Sequence, residues 1–110
     1  MTLSPQAEFT QRLGQRPVVA ILRGITPSEI EAVAAALIEQ NFRLIEVPLN
    51  SPDAQESIRL LAEGFGDQAL VGAGTVLNRD QVIAVKDAGG RMIVSPNTNV
   101  DVIKASVEHG

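Results

Sequence analysis

Four short apolar segments recur along the chain at intervals of about 25 residues. They occupy residues 18–22, 44–47, 69–73 and 92–94, and they are rich in β-branched and large apolar side chains that do not alternate strictly with polar ones. Strands that are buried on both faces of a parallel sheet have this pattern. We therefore predict four parallel strands.

Each interval after these segments carries helical periodicity and a helix-start signal. The first interval begins with Thr26, Pro27 and Glu29, a capping box with proline at the first helical position. Apolar residues then recur at three- and four-residue spacing up to Ile38. The other three helices are expected to begin at residues that favour caps or first turns: Ser51 with Pro52, Asn78, and Asn99.

The resulting order, β-α-β-α-β-α-β-α, implies a parallel sheet with right-handed crossovers. Three architectures stay open at this point: a doubly wound open sheet, half of an eightfold barrel that stands alone or pairs with another half, and a fragment of a whole barrel. Residues 1–17 form a polar lead-in with one short helix at residues 5–13. Because no linker or charge run divides residues 18–110, we treat them as one unit.

Composition and charge exclude several classes of function. The 110 residues suffice for one domain, and the lack of cysteine excludes a disulfide scaffold, a thiolate metal site and a cysteine nucleophile. A net charge of −4, with three Phe and no Tyr or Trp, argues against nucleic-acid and membrane partners. No apolar run is long enough for a transmembrane helix, and the N-terminus lacks the apolar core of a signal peptide. We therefore expect a soluble, cytoplasmic protein.

Glu46 is the most informative polar residue because it lies inside the second predicted strand, between apolar neighbours. A buried carboxylate without a partner raises its pKa, and a carboxyl group tuned toward neutrality suits general acid–base chemistry. The alternative is a structural ion pair with Arg23, from the end of the neighbouring strand. Functional side chains of parallel α/β proteins collect where strands end, so the position of Glu46 favours catalysis or substrate contact.

Arg23 and Thr75 are candidates for substrate contact. Arg23 follows the first strand and can clamp a carboxylate or phosphate, although an arginine that extends to the rim or pairs with Glu46 explains it equally well. Thr75 follows Gly72 and Gly74, which we interpret as a turn where the backbone can approach a ligand. An ordinary turn with a helix-entry hydroxyl explains Thr75 slightly better.

The remaining polar residues give weaker signals. Ser95, Pro96 and Asn97 end the fourth strand and can line the floor of a site, but turn chemistry accounts for them as well. His109 is the single histidine, so neither a histidine-based triad nor a metal cluster is available. The two lysines, Lys86 and Lys104, fall within predicted helices and are expected to be solvated.

Four strand-end segments resemble the successive strand-end motifs of the KDPG/KHG/KDPGal aldolases, a family named for 2-keto-3-deoxy-6-phosphogluconate (KDPG) and 6-phosphogalactonate (KDPGal) substrates. The segments read AILRGITP at 20–27, IEVPLNSP at 45–52, VGAGTVL at 71–77 and VSPN at 94–97. The loop at 48–51 resembles the KDPGal branch, since KDPG aldolases tend to carry Thr and Arg there. The match runs from about residue 18 to residue 110.

The resemblance implies a class I aldolase on a (β/α)8 barrel, of which this chain is the N-terminal half with about four βα units. A lysine would form a Schiff base with a phosphorylated 2-keto-3-deoxy sugar acid, and cleavage would give pyruvate and D-glyceraldehyde 3-phosphate without a metal or other cofactor. By position, Glu46 matches the proton-shuttling glutamate, and Arg23 and Thr75 match substrate contacts, Thr75 at the carboxylate end. Pro96 and Asn97 match the wall of the pyruvyl pocket. The family also implies a homotrimer.

The chain departs from the family in length, because family members are about twice as long and their Schiff-base lysine lies on a later strand. Neither Lys86 nor Lys104 lies at a predicted strand end. We therefore expect this chain to carry the acid–base residues of the site but not the nucleophilic lysine. Activity would then belong to the full-length protein. A KDPG or related 2-keto-acid aldolase is the alternative within the enzyme class. A non-catalytic half-barrel scaffold or binding module is the alternative from another class.

Overall fold

The computed structural model describes residues 3–110, so the first two residues of the lead-in lie outside the described part. Helices and strands alternate as predicted. In chain order they are α1 (Pro5–Gln15), β1 (Ala20–Ile21), α2 (Pro27–Glu39), β2 (Leu44–Pro48), α3 (Ala54–Phe65), β3 (Leu70–Gly74), α4 (Arg79–Asp87), β4 (Met92–Ile93) and α5 (Val100–His109). No helix within residues 3–110 combines the length and the apolar composition needed to cross a bilayer.

The four strands form one parallel sheet in the order β1-β2-β3-β4. A doubly wound sheet reverses its strand order at a switch point, whereas each strand here lies beside its predecessor in the chain. The sequential order is that of a (β/α)8 barrel and excludes the doubly wound alternative. The chain therefore forms four consecutive βα units of the barrel type.

The edge strands are shorter than predicted. β1 contains two residues rather than the five at 18–22, and β4 contains two rather than three. In the described residues each edge strand has one neighbouring strand, whereas β2 and β3 pair on both sides and run for five residues each. The continuous ladders are therefore longest in the centre of the sheet, where Glu46 lies.

The two faces of the sheet differ in what covers them. Alternate residues of the strands pack against the helices in the main core, among them Ile45, Val47, Val71 and Ala73. The opposite face, which we call the inner face, carries Leu44, Glu46 and Pro48 of β2 and the residues aligned with them on the other strands. At its base lies a small separate cluster: Leu44, Leu70 and Met92.

Helix α1 is anchored across the N-terminal ends of the strands. Glu8 is buried and forms an ion pair with Arg91, which directly precedes β4. Arg12 donates to the carbonyl oxygen of Asp67 at 3.0 Å, just before β3. Helix α1 of the polar lead-in is therefore a structural part of the unit. Because a barrel places its chemistry at the C-terminal ends of its strands, these contacts contribute to stability.

Three of the four predicted helix starts are confirmed, and one is wrong. α2 begins after Thr26, α4 after Asn78 and α5 after Asn99, with both asparagine side chains accepting from backbone amides of the first turn. Helix α3 begins at Ala54, so Ser51 and Pro52 do not open it. The amide of Ser51 donates to Pro48 at 3.0 Å, and this bond makes the segment a turn instead of a first helical turn.

Candidate active site

Glu46 lies in the middle of β2 on the inner face of the sheet. It is aligned with Ile21 of β1 and Gly72 of β3, and Gly72 is aligned in turn with Met92. Glu46 is 4% exposed, while Ile21 beside it is 59% exposed. A carboxyl group therefore lies at the centre of a largely apolar face, next to the Leu44–Leu70–Met92 cluster.

The Glu46 carboxyl group has little compensation for its burial. Its Oε2 atom is buried without a hydrogen-bond partner, and no ion pair among residues 3–110 includes it. Burial raises the pKa of Glu46 above the ordinary value of 4.5, and the positive charge of Arg23 opposes part of that increase. The direct ion pair with Arg23 considered from the sequence is absent, so Arg23 acts on Glu46 through space.

Gly74 provides the space that the Glu46 carboxyl group occupies. A Cβ atom at Gly74 would lie 2.5 Å from Cδ of Glu46 and 2.6 Å from Oε1, and closer still to Oε2. Gly72 and Gly74 belong to strand β3, so their interpretation as a turn is wrong. Sequence reasoning missed this role because it depends on β2 and β3 being adjacent and in this register.

Arg23 lies in an exposed turn directly after β1. The next residue, Gly24, has a φ of +80°, a conformation that side-chain-bearing residues rarely adopt. The amide of Gly24 donates to the hydroxyl oxygen of Ser51 at 3.0 Å, which ties the turn after β1 to the loop after β2. The loops after β1 and β2 are thus held together beside Glu46.

Thr75 lies directly after β3 with a φ of +56°. A β-branched residue in the left-handed region is a backbone outlier of roughly 1–3 kcal/mol, and such strain clusters at ligand and active sites. Thr75 follows Gly74, the last residue of β3, and a Cβ atom at Gly74 would meet the Glu46 carboxyl group, so Thr75 is near the candidate acid–base residue. The role of Thr75 in substrate contact stays a prediction, to which the structure adds the strained backbone.

Pro96 and Asn97 lie beyond β4 and are both exposed. The loop that carries them adjoins the loop after β3, because the amide of Val76 donates to the carbonyl oxygen of Val94 at 3.3 Å and the Asn99 side chain donates to Leu77 at 3.3 Å. No hydrogen bond within residues 3–110 joins Pro96 or Asn97 to Glu46. These two residues border the same end of the sheet without touching the carboxyl group.

Both lysines lie on helices away from the strand ends. Lys86 is exposed in the last turn of α4, and Lys104 is exposed on α5. A cavity of about 710 Å³ beside Lys86 and His109 does not include Glu46, Arg23 or Thr75 in its lining. Within residues 3–110, no group of three or more His, Asp or Glu side chains is placed to hold a metal ion.

The arrangement can carry out proton transfer next to an anion-binding edge. A carboxyl group with a raised pKa keeps its proton to a higher pH than an exposed one and can donate it. An exposed guanidinium group and a strained threonine stand at the neighbouring strand ends, where an oxyanion of a substrate can be bound. Among the described residues, this end of the sheet holds no amine nucleophile.

Comparison with known proteins agrees with the resemblance carried by the strand-end motifs. A family model for KDPG and KHG aldolases matches residues 9–110. The chain is 47% identical over 94 residues to the 2-dehydro-3-deoxy-6-phosphogalactonate aldolase of Escherichia coli, covering 86% of this chain and 46% of that protein. The chain spans about half the length of the curated relatives it matches.

Solved structures share the fold as well as the sequence. The native KDPGal structure superposes with a TM-score of 0.83 at 47% identity and covers 86% of this chain, which spans 46% of that one. The KDPG aldolase of Legionella pneumophila, captured with pyruvate as a covalent carbinolamine intermediate, superposes with a TM-score of 0.79 at 30% identity. It covers 94% of this chain, which spans 48% of it. The four βα units therefore correspond to about half of a barrel aldolase.

Proposed function

The chain belongs to the KDPG and KHG aldolase family, and on this premise we propose that the full-length protein cleaves 2-dehydro-3-deoxy-6-phospho-D-galactonate. The products are pyruvate and D-glyceraldehyde 3-phosphate, and the reaction proceeds through a Schiff base without a metal. The observation that carries the proposal is the buried, unpartnered carboxyl group of Glu46 on the inner face of a barrel-type sheet. We place this activity in the cytoplasm.

Glu46 moves protons at two steps of the proposed reaction. A lysine amine adds to the C2 carbonyl, and protonated Glu46 donates to the carbinolamine hydroxyl as water leaves and the iminium forms. The Glu46 carboxylate then accepts the proton of the C4 hydroxyl while the C3–C4 bond breaks and its electron pair moves into the iminium to give an enamine. Protonation of the enamine at C3 and hydrolysis release pyruvate and the free lysine. A raised pKa suits both directions of transfer.

The other strand-end residues bind the substrate in this proposal. Arg23 contacts an anionic group of the sugar acid, and Thr75 binds its carboxylate end through the hydroxyl and the backbone. Pro96 and Asn97 form a wall of the pocket around the pyruvyl part. The exposure of Arg23, Pro96 and Asn97 at one end of the sheet supports these roles, as does the backbone strain at Thr75.

The Schiff-base lysine belongs to a part of the protein outside this chain in our proposal. The positions of Lys86 and Lys104 on outer helices support this. The full-length protein incubated with pyruvate and borohydride should gain the mass of a reduced pyruvyl adduct on one lysine. The same treatment of the 110-residue chain should leave Lys86 and Lys104 unmodified. An adduct on either of these residues would contradict the assignment of the nucleophile to another segment.

A KDPG or related 2-keto-acid aldolase is the alternative within the family. The 47% identity to a 6-phosphogalactonate aldolase, against 34–36% for the curated 2-dehydro-3-deoxy-phosphogluconate aldolases, favours the galactonate epimer. Cleavage of both epimers by the full-length protein, followed through pyruvate release, distinguishes the two. A higher kcat/KM for the gluconate epimer would overturn the galactonate assignment while leaving the aldolase reaction intact.

A half-barrel scaffold or binding module is the candidate from another class. The observation that favours it is the exposed inner face, where Ile21 is 59% and Val94 is 38% exposed beside two edge strands. This alternative predicts a defined assembly of the 110-residue chain without a borohydride adduct. The aldolase proposal, with its homotrimer of the full-length protein, instead predicts a borohydride adduct and substrate cleavage by the full-length protein. These two measurements separate the proposals, since a scaffold gives neither.

A further inference from the structure

Ser51 is a buried residue that precedes helix α3 and does not cap it. The side chain is in the turn between β2 and α3, is 7% exposed, and accepts a hydrogen bond from the amide of Gly24 at 3.0 Å. Its own amide donates to Pro48 at 3.0 Å, so the serine is fixed directly after the strand that carries Glu46. The bond to Gly24 spans 27 residues of sequence.

The Ser51–Gly24 bond continues the connection between β1 and β2 beyond the ladder. The last backbone bond between these strands runs from the amide of Leu22 to the carbonyl oxygen of Glu46 at 3.0 Å. Past that point, in the described part of the chain, Gly24–Ser51 is the hydrogen bond that joins the two loops. Gly24 can offer its amide in this direction because it adopts a φ of +80°.

Arg23 directly precedes the glycine that makes this bond. Arg23 precedes Gly24, is exposed, and makes no hydrogen bond or ion pair of its own within residues 3–110. Its charge nevertheless acts on Glu46. On the other side of β2, strand β3 carries no titratable side chain, so Arg23 is the charged group that influences the carboxyl group.

We propose that Ser51 is a positioning residue of the site: its hydroxyl holds the Gly24 turn so that the Arg23 guanidinium faces both Glu46 and an incoming anionic substrate. The substrate part of this inference rests on the proposed aldolase function. The part concerning Glu46 does not, because it is argued from the Gly24–Ser51 hydrogen bond and from the effect of the neighbouring Arg23 charge on Glu46.

Ser51→Ala in the full-length protein tests the inference, with Ser57→Ala as the matched control. Ser57 is a fully buried serine of the adjoining helix α3 whose hydroxyl has no hydrogen-bond partner, so its removal deletes the same atom without the loop connection. Ser51→Thr retains the acceptor and should restore wild-type behaviour. Ser51→Cys keeps a side chain of similar size but replaces the hydroxyl with a weaker hydrogen-bond acceptor. It is the variant to use if Ser51→Ala does not fold.

The first measurement is the titration of Glu46 by infrared spectroscopy, using the carboxyl band that is missing in Glu46→Gln. In Ser51→Ala and Ser51→Cys, the titration midpoint should rise, because the loosened Arg23 no longer favours the carboxylate as strongly. Ser51→Thr and Ser57→Ala should keep the wild-type midpoint. A wild-type midpoint in Ser51→Ala, with or without a lower melting temperature, would overturn the inference and leave the bond purely structural.

The second measurement is steady-state cleavage of the 6-phosphogalactonate substrate. Ser51→Ala should raise KM by roughly three- to tenfold with a smaller change in kcat, in keeping with loss of one neutral hydrogen bond that orients a binding group. An unchanged KM would show that the position of Arg23 does not affect substrate binding. If even the wild-type protein does not cleave the substrate, the aldolase proposal fails, while the infrared titration still decides the role of Ser51.

Discussion

The carboxyl group of Glu46 lies in an environment that favours its neutral form. It is surrounded by apolar side chains and glycine backbone on the inner face, and its Oε2 atom has no partner. A carboxylate that accepted several hydrogen bonds would have a lowered pKa and would be a poor proton donor. The missing partners are therefore compatible with a group that must both donate and accept a proton.

Glu46→Gln should lower turnover of the full-length protein by about 10²–10⁴-fold, the contribution typical of acid–base groups. The amide keeps the shape of the side chain but cannot exchange the proton at C4. Pyruvate release in a coupled assay measures the loss, and a retained melting temperature controls for folding. Near-normal turnover would remove Glu46 from the proposed proton transfer.

Glu46 should also make the stability of the protein depend on pH. Because its pKa is higher in the folded state than the ordinary 4.5, the folded protein holds the extra proton in the window above that value, and stability is lost as pH rises through the window. Glu46→Gln lacks this proton and does not lose stability in this way. The free energy of unfolding of the variant should therefore increase relative to that of the wild type as pH rises. Urea unfolding of both proteins on either side of the window measures the difference, and a constant difference would contradict the raised pKa.

Gly74→Ala should displace the Glu46 carboxyl group, because the added Cβ atom would lie within 2.6 Å of both Cδ and Oε1. We expect turnover to fall by at least about tenfold, since small misplacements of a reacting group cost up to ~10²-fold. Gly64→Ala is the matched control, as a Cβ atom on that residue of α3 meets nothing within 4 Å. Equal activity of the two variants would show that the carboxyl group does not need this space.

At the scale of elements, α1 holds the base of the sheet through polar contacts. Glu8→Ala removes the partner of Arg91 and should lower the free energy of unfolding by about 1–3 kcal/mol, the value for a hydrogen-bonded charge that is largely buried. Glu63→Ala on α3 deletes one end of an exposed ion pair and should leave the urea midpoint unchanged. Equal losses in the two variants would indicate that α1 does not anchor the sheet.

The elements themselves were largely predictable, and their long-range contacts were not. Periodicity indicated each helix, and capping residues gave the correct start of three of them, since Thr26, Asn78 and Asn99 act within one turn of themselves. Ser51 was misassigned because its hydroxyl bonds a residue 27 positions away, and Glu8 was overlooked because its partner is 83 positions away. Local propensity carries no information about contacts of that range.

At the scale of the whole molecule, the 110-residue chain leaves apolar surface at both sides of the sheet. Ile21 on β1 is 59% exposed, and Ile103 and Val107 of α5 are 52% and 79% exposed. Unpaired edges and contiguous apolar surface favour association.

The isolated chain should therefore associate in a concentration-dependent way, and Ile103→Lys with Val107→Lys should weaken that association. Val33→Lys, on the exposed side of α2, is the control and should leave it unchanged. Sedimentation velocity over a range of concentrations measures the effect. A compact monomer at every concentration would contradict this expectation and the half-barrel assembly alike.

The sequence alone determined the order of elements, the parallel sheet and the residues at its strand ends, because hydrophobic periodicity and caps are local properties. Strand-end motifs also carried the family resemblance. Periodicity alone left a doubly wound and a barrel-type sheet open, because strand order is a relation between distant segments. The resemblance predicted the barrel type, and the strand order of the structure confirms it. Only the tertiary structure showed that Glu46 has no ion-pair partner among the described residues, that Gly74 makes room for it and that the Ser51 hydroxyl accepts a hydrogen bond from Gly24, because each depends on the register and spacing of neighbouring strands.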